Sequence, residues 1–428
     1  MRSDDIRSTF LDFFVRHDHL LVPSGPLVSE DDDLLFTNAG MNQFKPFFLG
    51  RSRPPRRRLT SAQQCVRTVD VDNIGRTARH ATSFEMLGNF SVGDYFKRES
   101  MAWALELLTC GYGLDRDRLW FTVLRGDEES VELWRRLGVP PGRIQRLGPD
   151  DNFWSMGVPG PSGPTTEVCY DRGHGPDGGP AVSGERFVEL WNLVFMQYER
   201  GRSDEEILGD LPGRHIDTGL GLDRLAMVLQ DADTISDIDL VRPALLRVRE
   251  LTGRDDAPQW HRVVADHLRT ASLLVAAGMR PGNDGRGYVV RRLLRRAVLR
   301  LSMLGVETPA LGDLVSSVGS GVDVDVVRPV VEREERAFRG TLRAGRRLLD
   351  GALSGGGTVR GEVAFKLHDT YGFPVDLTVE VARESGLDVD RAGFDALMAQ
   401  QRGRGRVTPV GAGPRSSRNR PSTSDGPG

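Results

Sequence analysis

The hydrophobic periodicity of the chain changes once, near residue 235, and that change limits the fold more than any other feature. Before it, apolar residues gather in strand-like runs: LLFTNAG (34–40), FEMLGNF (84–90), RLWFTVL (118–124), TEVCYD (166–171) and FVELWNLVFMQY (187–198). The last is apolar enough for a central strand. Helical spacing appears between them. Ile6, Phe10, Phe13 and Phe14 follow Ser3, which reads as an N-cap, and ESMAWALELLTCG (99–111) ends on Gly111 at the C′ position. Strand runs with scattered helices and Gly/Pro-rich loops predict an α+β domain over residues 1–235, built on a largely antiparallel sheet. After the change, Trp260, Val263, Val264, His267, Leu268, Ala271, Leu274 and Val275 keep helical spacing, as do Val331, Phe338, Leu342 and Leu349. Residues 236–402 are therefore expected to form an all-helical domain, with TGRDDAPQ (252–259) as a linker. Residues 403–428 hold nothing to bury and are expected to be disordered.

Composition narrows the class. With 428 residues, 39% hydrophobic and 27% charged, the chain has the make-up of a soluble globular protein with more than one core. A net charge of −3 argues neither for nor against nucleic acid. Three lysines (Lys45, Lys97, Lys366) stand against 54 arginines, a bias that a GC-rich genome explains more simply than arginine chemistry. Cys65, Cys110 and Cys169 are odd in number and far apart, so neither a disulfide framework nor a CxxC zinc site is expected. The polar, acidic N-terminus and the lack of a long apolar run lead to the expectation of a cytoplasmic protein without membrane contact.

The chemistry begins at DTGLGLDRLAMVL (217–229). Two glycines precede a helix whose first turn carries Arg224, although a helix N-terminus disfavours a cation. An anion arriving at the same place would reconcile the two, since helix N-termini, glycine backbone and arginine forks all suit phosphate. A carboxylate partner or a surface position is the plainer explanation. All three lysines follow phenylalanine, so no Walker A lysine exists, and GLGLDR and GYGLDR both fail the GxGxxG pattern. Arg67, after the short apolar strand end QQCV, would aim a guanidinium into a cleft, with Phe84 and Phe90 as flat apolar surfaces and Glu85 as a metal ligand. Asp217 precedes the glycine pair, where a sharp turn would let its carboxylate meet an ammonium group. Asn192 is polar within an apolar strand and needs partners, either backbone or a ligand. Singly, each of these features has a structural explanation.

In this order they resemble the alanyl-tRNA synthetases, which are class II aminoacyl-tRNA synthetases. LLFTNAGMNQFKPFFLG (34–50) is similar to that family's motif 1, QQCVR with TARHATSFEMLGNFSVGDYF to motif 2, and DTGLGLDRL to motif 3. DNFW, GPSGPTTEVCYD and ELWNLVFMQY resemble further active-site strands, and RVVADHLR, NDGRGYVVRRLLRRAV and FKLHDTYGFPVDLT its tRNA-acceptor-recognition region. The resemblance implies activation of alanine, or a similar small amino acid, by ATP with Mg²⁺, and transfer to the 3′ end of tRNA(Ala). By it, Arg67 and Arg224 are the catalytic residues, on the α- and γ-phosphates. Phe84, Glu85, Trp154 and Gly221 complete the ATP site, and Trp154, Trp191, Asn192, Asp217 and Gly219 form the amino-acid site. Asn283 and Asp369 match positions that read the G3·U70 acceptor pair, and Arg291, Arg292 and Arg295 belong to a run, with Arg296 and Arg300, suited to a solvated face or to phosphate contacts.

Departures from the family pattern cluster around the nucleotide. TVDVDN after Arg67 is shorter than the family's loop, Ala81 and Ser83 replace a histidine and an aromatic, Val158 and Pro159 a polar pair, and Ser162 and Thr165 two cysteines. The match ends near residue 402, which implies a shortened form without the editing and C-terminal domains, and no protein-bound zinc. Packing discriminates among small side chains by only ~1–3 kcal/mol, so misactivation of glycine and serine without clearance of mischarged tRNA is expected. An alternative reading is a ligase that delivers the acyl group to a carrier protein or small molecule. A non-enzymatic tRNA-binding relic is disfavoured by intact Arg67, Asp217 and Arg224.

Overall fold

A computed structural model describes residues 1–29, 33–173, 177–182, 185–202 and 206–405. Of the expected tail, residues 406–428 lie outside this set. The chain divides into two compact units, Met1–Leu342 and a second that begins at Arg343.

The first unit is organised by a sheet in which nine strands are found among the described residues. They are β1 (Leu20–Leu21), β2 (Arg58–Val66), β3 (Ser83–Val92), β4 (Leu119–Leu124), β5 (Ile144–Leu147), β6 (Phe153–Ser155), β7 (Gly160–Asp171), β8 (Phe187–Arg200) and β9 (Ile207–Gly221). Their order is β1-β2-β3-β9-β8-β7-β4-β5, with β6 beside β7. The outer pairings β1–β2 and β4–β5 are parallel and the others antiparallel, so the sheet is mixed and the class is α+β. The central strand β8 carries the densest apolar run, because most of its residues are buried whichever face they point to.

Helix α1 (Ser3–Arg16) covers the rear face of this sheet. Phe10 and Phe14 lie 5.4 and 6.3 Å from the Trp191 ring. Ser3 is the first helical residue rather than the cap, and its N–H donates to Asp239 Oδ2 at 3.0 Å, so the helix start is satisfied by a distant carboxylate. The helix Lys97–Glu106 widens into a π turn over Leu107–Gly111, which moves the left-handed glycine from Gly111 to Gly113 (φ +68°).

LLFTNAG (34–40) is not a strand. Asn42 Oδ1 accepts the Ala39 N–H at 2.8 Å and bends the chain into the turn Asn42–Phe44, a side-chain bond that competes with pairing. The segment still runs beside the end of β2, where Thr37 carbonyl accepts the Val66 N–H at 2.9 Å. After β9 the chain enters α2 (Leu222–Leu229) directly. The expected linker at 252–259 is a short helix–helix connection, with Gly253 left-handed (φ +61°) ahead of α3 (Pro258–Ala276). Helix α4 (Gly285–Met303) follows, and the division between units falls within α5 (Val324–Ser354).

The second unit contains α6 (Gly361–Asp369), α7 (Val375–Glu384) and α8 (Arg391–Gly405). Its core gathers Ala364, Val375 and Phe394, with Phe365, Val389 and Met398 packed on them.

Candidate active site

Strand periodicity builds the site. Side chains two apart share a face, and register puts Asn192 opposite Gly219, Val194 opposite Asp217, Glu167 opposite Asn192 and Met86 opposite Gly221. Together with Phe84 these residues floor a cavity of ≈ 300 Å³ on the front face. Trp154 of β6 and the loop after Arg67, through Asp70, Arg79 and His80, form its walls. Gly219 keeps the floor open, since a Cβ there would come within 2.8 Å of Met86 Sδ.

Arg67 and Arg224, 157 positions apart in the sequence, both line this cavity. Arg67 follows β2, and its guanidinium lies over the Phe84 ring at 5.0 Å while Nε donates to Asn38 carbonyl at 3.1 Å. Stacking and the Nε bond fix the side chain, and no hydrogen bond among the described residues occupies its two Nη groups. Arg224 stands in the first turn of α2, as its sequence position requires. Its Nη1 donates to Glu189 Oε2 at 2.6 Å and to the Glu189 carbonyl at 3.2 Å. Burial works against charge on both partners, but each holds the other ionised: the Glu189 carboxyl is pushed down and the Arg224 guanidinium up.

Burial first, and then the negative charge of Glu189, push the Glu167 carboxyl well above the usual carboxylate range. Asn192 Nδ2 donates to Glu167 Oε1 at 3.3 Å, while Asn192 Oδ1 is buried without a partner. Asp217 is 4% exposed, and no hydrogen bond or ion pair among the described residues reaches its carboxylate. Burial alone raises it to about 7. Asp217 sits within β9 rather than at a sharp turn; its isolation comes from strand register. Behind it, Asp223 accepts the Glu85 N–H at 3.0 Å and is raised to about 6 by burial.

Two of the expected residues face the other way. Glu85, between Phe84 and Met86, points to the rear, where Arg7 Nη2 donates to it at 2.9 Å and Gln64 Nε2 at 3.1 Å. Trp191, next to Asn192, packs against α1. Glu189 shows the reverse. It is three residues from Asn192 and strict alternation would send it rearward, but a bulge between the pairs Val168–Trp191 and Cys169–Glu189 brings it forward. The signal for Glu189 was the same as for Asn192, a polar residue inside the apolar run FVELWNLV.

The acceptor-recognition residues are engaged within the protein. Asn283 accepts from Arg291, whose Nε donates to Glu334 Oε1 at 3.1 Å, and Arg295 Nε donates to the same oxygen at 2.7 Å. Arg292 Nη2 lies 3.1 Å from Asp72 Oδ1. Arg296 and Arg300 depart from the solvated face expected for the run, being 2% and 1% exposed. Arg300 stacks over Trp260 at 5.4 Å, and Arg296 turns to His267. In the second unit, Asp369 accepts from Gln401.

The mixed sheet thus presents two arginines from distant segments, a buried lone carboxylate and a glycine floor to one cavity. The chain belongs to the family of tRNA synthetases class II (A), which matches residues 5–415. Among proteins similar to it, an alanine–tRNA ligase of Frankia alni is 50% identical over 426 residues, covering 94% of this chain and 48% of that protein. An alanine–tRNA ligase of Mycolicibacterium smegmatis is 47% identical over 439 residues, covering 95% of this chain and 49% of that one. The chain thus spans about half the length of the curated relatives it matches. A similarity to a solved histidyl-tRNA synthetase of S. aureus covers 59% of this chain and 76% of that one, at 11% identity and a TM-score of 0.35. No described helix is long and apolar enough to cross a membrane.

Proposed function

We propose that the chain activates alanine, or a similarly small amino acid, with ATP and passes the acyl group to the 3′ end of tRNA(Ala). The observation that carries this reading is the meeting of Arg67 and Arg224 around one cavity whose floor holds the lone carboxylate of Asp217. Asp217, ionised when an ammonium group arrives, anchors the amino acid, with Asn192 and Trp154 limiting the room beside it. Arg67 spans the amino-acid carboxylate and the α-phosphate. The carboxylate attacks the α-phosphorus in line, the bond to the β-phosphate oxygen breaks, and pyrophosphate leaves. Arg224 turns from Glu189 to the γ-phosphate. Guanidinium forks suit this task because they bind two oxygens and never deprotonate, and positioning with charge neutralisation supplies most of the rate.

Among the described residues no group of three or more His, Cys, Asp or Glu side chains is placed to cage a metal. That fits a Mg²⁺ carried mainly by phosphate oxygens, which needs one or two carboxylates from the protein. Glu189 and Glu167, both facing the cavity, would hold it, and the chemistry supplied would be neutralisation of phosphate charge.

The acyl acceptor in this reading is tRNA rather than a carrier protein or small molecule, because relatives at about half identity are named alanine–tRNA ligases. Asn283 with Arg291, Arg292 and Arg295 on α4, and separately Asp369, are its proposed contacts. Charging of a G3·U70 minihelix with radiolabelled alanine tests the whole proposal. Charged minihelix is expected, and amino-acid activation without charging would show the acceptor to be wrong.

A further inference from the structure

The loop between β2 and β3 walls the cavity through Arg67, Asp70, Arg79 and His80, yet much of its anchorage lies on the opposite side, on α3 and α4. Thr82, where the loop rejoins the sheet, donates its N–H and hydroxyl to the Asp266 carboxylate at 2.8 and 2.5 Å. Arg67 N–H donates in turn to the Thr82 carbonyl at 2.9 Å, so a grip on Thr82 is a grip on the Arg67 backbone. One turn along α3 from Asp266, Thr270 donates its hydroxyl to Ser83 Oγ at 2.9 Å. Midway in the loop, Val71 carbonyl accepts from Arg296 Nη1 at 2.5 Å.

His267 joins these two anchors. Its Nδ1 is 2.8 Å from Asp266 Oδ2 and its Nε2 is 2.8 Å from Arg296 Nη1. A guanidinium can only donate, so Nε2 accepts, and the ring proton is on Nδ1, given to Asp266. Asp266, His267 and Arg296 are 7%, 0% and 2% exposed, so water does not compete for these bonds. Gly75 adds a third fixed point: at φ +83° it lies so near α3 that a Cβ would meet the Gln259 carbonyl oxygen at 2.6 Å.

We propose that Asp266, His267 and Arg296 are positioning residues for amino-acid activation, forming a buried relay that holds Arg67 and the loop of residues 68–82 in place. The inference rests on the activation reading above. None of the three lines the cavity, so they act through Arg67 and the loop. Of the amino acid only the carboxylate meets Arg67, and its ammonium group and side chain are held by Asp217 and Asn192 on β9 and β8, whereas ATP is met by both Arg67 and the loop. Loss of the relay therefore weakens use of ATP more than use of the amino acid.

Pyrophosphate exchange on the full chain, titrated separately with ATP and with alanine, reads this split. Arg296→Met is expected to raise KM for ATP about tenfold, the scale of one charged hydrogen bond, and Thr82→Val about threefold, with KM for alanine within about twofold in both. Arg300→Met removes an equally buried arginine one turn further along α4; it should lower the melting temperature and leave both KM values within about twofold. If Arg296→Met does not fold, Thr82→Val decides alone. An unchanged KM for ATP, a parallel rise in both KM values, or the same split in Arg300→Met overturns the proposal. Should the wild type show no alanine-dependent exchange, the activation reading fails by itself. Amide hydrogen exchange at Arg67 then still reads the relay: protection about tenfold lower in Thr82→Val supports the grip on the loop, and equal protection refutes it.

Discussion

Replacing Asp217 with asparagine separates the cost of this residue from its use. The carboxyl titrates near 3.8 in an unfolded chain and at about 7 in the folded protein, where burial disfavours its charge. The native state therefore binds the Asp217 proton more tightly than the unfolded state, and this group's contribution to stability falls as pH rises from about 4 to about 7. Below both values it costs nothing. Above both, roughly a thousandfold difference in acidity corresponds to ~4 kcal/mol, an upper figure for a site that relaxes on ionisation. Asparagine has nearly the same shape and no charge to bury. Asp217→Asn is thus expected to be more stable than the wild type at pH 8, with a gap ~2–3 kcal/mol wider there than at pH 5. Denaturant midpoints at the two pH values, compared between variant and wild type, measure that difference and cancel every other titrating group. The variant should lose amino-acid use: alanine-dependent exchange falls steeply, and in the wild type KM for alanine falls as pH rises through about 7. A gap independent of pH, or a variant less stable than the wild type at pH 8, would refute the reasoning.

Three further outcomes follow from particular contacts. Gly75→Ala brings a Cβ against the Gln259 backbone at a positive φ, so it should cost more than ~1 kcal/mol of stability, measured by thermal melting. Glycine and serine should support pyrophosphate exchange, disfavoured against alanine by no more than roughly 10–200-fold in kcat/KM; complete rejection of either would mean a more selective pocket than this one. Arg292→Ala should weaken tRNA binding and reduce the slope of log Kd against log salt by about 1, and an unchanged slope would remove Arg292 from the phosphate contacts.

What the sequence made legible, and what it hid, follows from how each residue is held. Asn192 stands out because a polar side chain in an apolar strand needs a reason to be there, and Asp217 because it precedes a glycine pair; strand register, rather than the expected turn, puts both on the cavity floor. Arg224 drew notice for the opposite cause, a cation at a positive helix end, and the structure supplies the anionic company as Glu189. Alternation could have separated Phe84 from Glu85 and Asn192 from Trp191, but in strands apolar on both faces it does not say which face is the front. Glu189 carries the same polar-in-apolar signal as Asn192, but its facing is hidden, since a bulge is a two-strand property and no single run reveals it. LLFTNAG had the composition of a strand and lost it to one side-chain bond from Asn42. The arginine run of α4 looked like a solvated stripe because sequence alone does not show that His267, Val71 and Trp260 lie opposite Arg296 and Arg300.

In the proposed reaction Arg67 and Arg224 act on one ATP molecule to activate an amino acid. Alanine-dependent pyrophosphate exchange, measured in the wild type and in Arg224→Ala, tests it most directly. Exchange is expected in the wild type, with a loss of roughly 10²–10³-fold in a variant whose circular dichroism is unchanged. A wild type without alanine-stimulated exchange, or a variant that exchanges at near the wild-type rate, would contradict it.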